Sequence, residues 1–221
     1  MVVVTTTIHG EPDARLIAAL AHTESSVRLR AALAAGTPGD PRLVEILIAR
    51  CAIESDFFVR DMLTWALCRL PAEVTLPGLI AELESATAQA RSQALHTLSK
   101  IGDRGAWPAV SGRLHDADDE VALSAWRAAV ALVPPGDEGV LAADLATALG
   151  RGEQPVQLGL SRALAALGEA AAPVLATAAR HPDPRVRAHA QAAERLRRDP
   201  DSGFEPALEL ARRVAVTGSD T

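Results

Sequence analysis

Six segments of this 221-residue chain repeat one pattern, and that recurrence narrows the fold more than any composition figure. The clearest copy is Asp183-Pro-Arg-Val-Arg-Ala-His-Ala-Gln-Ala-Ala-Glu-Arg-Leu. Others begin at Glu24, Asp56 and Thr87, with weaker copies at Asp118 and Glu153. Aligned on Val27, Val59, Ala90, Val121, Val156 and Val186, the copies step by 32, 31, 31, 35 and 30 residues. A period in this range marks stacked supersecondary units, none of which buries its apolar face alone.

Each copy reads as one capped amphipathic helix. Three residues before the anchor stand Glu24, Asp56, Thr87, Asp118, Glu153 and Asp183. The Asp and Thr side chains are expected to accept free N–H groups at a helix start, and the Glu side chains to offset the helix dipole. Four after the anchor come Ala31, Leu63, Ala94, Ala125, Leu160 and Ala190; seven after come Ala34, Ala66, Thr97, Ala128, Ala163 and Ala193. These positions share one face, and the small residues there let helices approach closely.

The motif Asp-x-x-Val-Arg-x-x-x-x-x-Ala-Leu resembles the second helix of a HEAT repeat, particularly the short bacterial kind. The resemblance covers about residues 12–199 and implies an all-α fold, an α-solenoid of about six helix pairs plus a C-terminal capping helix. Its repeats fall at about 12–36, 40–71, 74–103, 104–135, 136–168 and 169–199. A tail at 1–11, the capping helix at 203–216 and a tail at 217–221 complete the chain. Within this frame Gly36 is expected to end a B helix in the left-handed conformation. Pro77 is expected early in an A helix, and Pro134-Pro135-Gly136 to alter the stacking angle. The tetratricopeptide and ankyrin patterns fit less well.

Composition agrees with helix-on-helix packing: 48% of residues are hydrophobic and only 3% aromatic. The net charge of −6 argues against sequence-independent binding to nucleic acid or anionic membrane, which needs a surplus of cations. Cys51 and Cys68 are expected about 15 Å apart by helix rise, too far for a disulfide. That suits two reduced thiols in a cytoplasmic protein. The first residues carry no basic group before their apolar run, unlike a secretory signal.

The sixth position after each anchor lies away from the core and reads Leu33, Trp65, His96, Arg127, Arg162, Ala192. The second-position column beside it includes Asp61 and Ser92. In HEAT-like stacks the B helices line the concave side, so the resemblance places Trp65, His96, Arg127, Arg162, Asp61 and Ser92 in a groove. Trp and Arg often dominate binding energy, and arginines suit a carboxylate or phosphate. Packing is the alternative for Trp65, and the expected role for Trp126. Phe57 and Phe58 read as a hydrophobic staple or inter-repeat contact, or less readily as an exposed patch. His22, His115 and His181 sit at A-helix ends, where histidine satisfies carbonyls.

No catalytic motif or metal-ligand spacing stands out, so no catalytic residue, metal or cofactor is expected. The reading is a non-catalytic binding or scaffold module. Its partner would be a protein segment, or a small acidic ligand, with no membrane role; the net charge disfavours nucleic acid. Alkylpurine DNA glycosylases and bilin lyases are HEAT-like enzymes and form the alternative. Trp65, Asp61, Arg127 and Arg162 make only a thin version of a glycosylase site.

Overall fold

A computed structural model of the chain describes residues 13–200. The tails and the expected capping helix at 203–216 lie outside these residues. All regular structure among the described residues is helical: twelve α-helices with three short 3-10 turns. None of these helices is long and apolar enough to cross a membrane alone. The chain divides into two compact units, one ending at Glu82 and the other starting at Leu83. Both are built as stacked helix hairpins, the α-solenoid arrangement.

The first unit contains α1 (Ala14–Leu20), α2 (Ser25–Gly36), α3 (Val44–Ile53), α4 (Phe57–Cys68) and α5 (Ala72–Glu82). Helices α2 and α4 pack side by side, with α1 against α2 and α3 between α4 and α5. Gly36 ends α2 as buried helical residue, and the left-handed turn falls to Gly39 (φ 64°). The reason is packing: a Cβ on Gly36 would collide with the Trp65 ring and lie 2.8 Å from the Ala66 Cα. Pro77 sits in the middle of α5, because the helix already begins after Pro71, whose carbonyl accepts the Val74 and Thr75 N–H groups. Cys51 is buried, Cys68 is exposed and both are free thiols. Burial pushes the Cys51 thiol up to about 12.

The second unit contains α6 (Ala88–Ile101), α7 (Trp107–Ser111), α8 (Asp119–Leu132), α9 (Glu138–Ala146), α10 (Gln154–Ala166), α11 (Ala172–Ala178) and α12 (Pro184–Arg198). Helices α6, α8, α10 and α12 form one row, each against the next. The shorter α7, α9 and α11 cover it from the other side. The predicted core face holds here: Ala94, Ala125, Leu160 and Ala190 are buried, as are Thr97, Ala128, Ala163 and Ala193. Trp126 is 1% exposed and its Nε1–H donates to the Leu114 carbonyl at 2.9 Å.

One device recurs at the turns between paired helices. Arg28 donates to the carbonyls of His22 and Thr23, and Arg60 to those of Glu54 and Ser55. Arg91 donates to Ser85 and Ala86, and Arg187 to His181 and Pro182. In every case these are the residues six and five positions earlier. Where Ala122 replaces the arginine, Arg151 reaches from the following repeat to the carbonyls of Asp116 and Ala117. Where Gln157 replaces it, its amide and Arg185 both donate to Gly152.

A second feature is shared by five of these six turns. The side chain two residues before the cap position accepts that position's N–H: His22, Glu54, Ser85, Asp116 and His181 all do so. His22 and His181 therefore act as acceptors through Nδ1, not as donors to carbonyls, and His115 instead meets Asp144 at 2.7 Å. Glu54 is also gripped by both guanidiniums, Arg28 in two bonds of 2.7 Å and Arg50. Burial alone would raise its carboxyl, but these bonds and the Asp56 N–H bring it down to about 2. Arg91 pairs with Asp116 in the same two-pronged way.

Capping follows residue type. Asp56, Asp118 and Asp183 accept N–H groups of their helices, and Glu24 and Glu153 do not. Thr87 departs from expectation: its side chain makes no cap bond, and its hydroxyl lies 3.3 Å from that of Ser85. Asp118→Ala should therefore cost the second unit about 1 kcal/mol in urea denaturation. Thr87→Ala should cost under about 0.5 kcal/mol, as surface changes do. Equal losses would contradict this assignment.

His189 joins α12 to α10 with no exposed surface. Its Nδ1 accepts the Gly150 N–H at 3.0 Å, so the ring proton sits on Nε2, 2.9 Å from the Gln157 carbonyl. Burial pulls its pKa from 6.5 to about 4, against a smaller opposing effect of the Gln157 bond. The unfolded chain then binds the extra proton first, and stability is lost as pH falls through this window, by up to about 3 kcal/mol. His189→Gln keeps a donor and an acceptor without the titration. Urea midpoints between pH 7.5 and 4 should fall less steeply for the variant than for the wild type.

Candidate functional site

Helical spacing sets two short rows of polar side chains beside each other. On α6, His96, Ser99 and Lys100 stand at i, i+3 and i+4; on α8, Ser124, Arg127 and Ala131 stand at i, i+3 and i+7. These six residues line one recess of about 290 Å³ between the two helices. The helices are held together at its edge by hydroxyls: Ser92 and Ser124 meet at 2.8 Å, and Ser92 reaches the Glu120 carbonyl at 3.5 Å. Ser99 donates to the His96 carbonyl, and the Arg127 Nε–H to the Leu123 carbonyl.

The electrostatics of the recess are one-sided. No carboxylate lines it. Lys100 and Arg127 have no ion-pair partner among the described residues, while Arg91, Arg113, Arg151 and Arg197 of the same unit are all paired. The surrounding helices extend the bias. Helices α6 and α10 contain no Asp or Glu, and in α8 the only two are Asp119 and Glu120 in its first turn. In a chain of net charge −6 this is a local excess of positive charge.

Of the residues singled out by sequence, His96 and Arg127 meet in this recess and Ser92 bridges the helices behind it. Arg162 is exposed on α10 and lies outside the lining. Trp65 and Asp61 belong to α4 of the first unit. Asp61 is exposed; Trp65 is 37% exposed, with one edge of its ring against Gly36 and the Arg69 guanidinium 5.7 Å from its centroid. The sixth-position column does not stay open throughout, since Ala192 is buried. Phe57 and Phe58 form neither staple nor inter-repeat contact. They are 65% and 69% exposed and pack edge to face on each other, one and two residues before the buried Val59.

Lys100, Ser99 and Ser124 are the lining residues that a single column of positions misses. The available signal was one turn away: His96 points to Ser99 and Lys100 on the same face, and Arg127 to Ser124.

No protein-family model and no curated protein sequence matches the chain. Among solved structures, the crystal structure of an engineered protein is similar at 21% identity, with a TM-score of 0.43, over 83% of this chain and 95% of that one. A second engineered protein is similar at 20% identity, with a TM-score of 0.46, over 83% and 97%.

The packing of Trp65 carries a stability cost that the recess residues do not. Trp65→Ala should lower stability by roughly 1–3 kcal/mol, less than a fully buried tryptophan would. Arg127→Gln should change it by less than about 0.5 kcal/mol. Thermal and urea unfolding followed by circular dichroism measures both, and a tryptophan variant as stable as the wild type would refute the packing role.

Proposed function

We propose that this chain is a HEAT-like repeat module of the short bacterial kind, cytoplasmic and non-catalytic, that binds an acidic protein segment. The binding surface is the exposed face of α6, α8 and α10, centred on His96, Lys100 and Arg127. The observation that carries this reading is the charge segregation. In an acidic protein, two cations without an ion-pair partner among the described residues share one recess that no carboxylate lines, between helices nearly free of Asp and Glu. Such complementarity steers an oppositely charged partner and fixes its register. Stacked helix hairpins present extended surfaces suited to a segment rather than to a small enclosed substrate.

A degenerate pool of fluorescent Glu- and Asp-rich peptides tests this by anisotropy. Binding should weaken as salt rises. It should fall by about tenfold or more in a Lys100→Glu, Arg127→Glu variant of unchanged helicity, a loss of about 1.4 kcal/mol or more. Arg180→Glu, on an exposed residue just after α11 and outside the recess lining, should leave it within about twofold, since exposed charges contribute little. Absence of binding at low salt, or equal loss in both variants, would sink the proposal.

A further inference from the structure

We infer that the recess between α6 and α8 receives the phosphomonoester of a phosphorylated serine or threonine on the partner segment. This rests on the reading of that surface as the binding face and names the group it selects.

Charge is the first argument. Two permanent cations, Lys100 and Arg127, line the recess, and no carboxylate among the described residues neutralises either one. A phosphomonoester carries between one and a half and two negative charges, about twice the charge of an Asp or Glu side chain. It alone matches both cations; a single carboxylate leaves one positive charge over.

Donor geometry is the second. The guanidinium of Arg127 commits its Nε–H to the Leu123 carbonyl, which fixes the plane of the fork and leaves its terminal NH₂ groups for a ligand. Lys100 adds a point charge one side chain away on α6. Ser124 adds no free donor, since its hydroxyl is engaged with that of Ser92 at 2.8 Å. A guanidinium fork from one helix and an ammonium from its neighbour suit a phosphate, which accepts more charge-assisted hydrogen bonds than a carboxylate.

The lining also selects what the phosphate is attached to. It contains no Trp, Tyr or Phe and only one wholly apolar side chain, Ala131, so it lacks the large aromatic platforms on which bases stack best. A space of about 290 Å³ exceeds a bare phosphate and accommodates a short side chain that carries one. A duplex or single strand, with a charge at every nucleotide, would demand many more cations than this acidic chain presents.

Lys100 is the only lysine in the chain, which supplies the readout. Reductive methylation with ¹³C-formaldehyde keeps its charge and gives one dimethyl-lysine resonance, separate from that of the terminal amine. Full-length protein so labelled is titrated with three degenerate peptide pools, alike but for a central phosphoserine, serine or glutamate, and with inorganic phosphate.

The phosphoserine pool should shift the Lys100 resonance at a midpoint about tenfold or more below that of the glutamate pool, and the serine pool should not shift it. In Arg127→Gln the preference for phosphoserine over glutamate should drop to about twofold or less, while Arg162→Gln, outside the lining, should retain it. Equal midpoints for phosphoserine and glutamate would overturn the inference and leave the acidic-segment reading standing. Silence of every peptide pool would overturn both. Saturation by inorganic phosphate at the phosphopeptide midpoint would overturn the peptide assignment in favour of a free anion.

Discussion

The repeat depends on how the carbonyls at each hairpin turn are satisfied. An α-helix ends with four carbonyls that have no partner inside it, and the second helix of each pair begins after only a few residues. Backbone N–H groups are scarce in so short a turn. An arginine one residue after the anchor solves this by donating back to the carbonyls six and five positions earlier. In two of the four, the Nε–H and second terminal nitrogen of the same guanidinium also grip an acidic side chain in the next turn: Arg28 grips Glu54 and Arg91 grips Asp116. One planar side chain thereby sets the hairpin angle and ties neighbouring repeats together. A lysine could not do both, because its single ammonium lacks the fork.

Much of the fold was legible from sequence because it rests on features with a fixed period. The Asp caps, the small residues four and seven after each anchor, and the Val-Arg pair itself were visible as copies. Their roles were less so. Nothing in the spacing says that the arginine serves the turn behind it, since that requires knowing where the carbonyls point. Thr87 looks like a cap by residue type but is diverted to Ser85. Gly36 looks like a helix terminator, yet the shape of Trp65, twenty-nine positions on, is what requires it.

The same distinction applies to the candidate site. His96 and Arg127 could be found from a column of equivalent positions, because each lies at the same distance from its anchor. Lys100 could not, since its counterpart Ala131, which also lines the recess, carries no chemistry to mark that column. Trp65 drew attention by its size, but part of its surface is taken up by the helix beside it. What the sequence did hold in plain view was the distribution of charge. The row of longer helices is almost free of Asp and Glu beyond its first turns until α12, while the net charge of the chain is negative.

Arg151 separates the fourth repeat from the others. It serves the fourth turn from a position in the fifth repeat, pairs with Asp119 and lies over the Trp126 ring at 5.9 Å. The other turns with a resident arginine carry their fastening within their own sequence, so such a unit could be duplicated or deleted by recombination with its turn intact. The fourth and fifth cannot be parted in this way. Loss of the fifth repeat would leave the carbonyls of Asp116 and Ala117 without their guanidinium, so the fourth hairpin depends on its neighbour for its own turn.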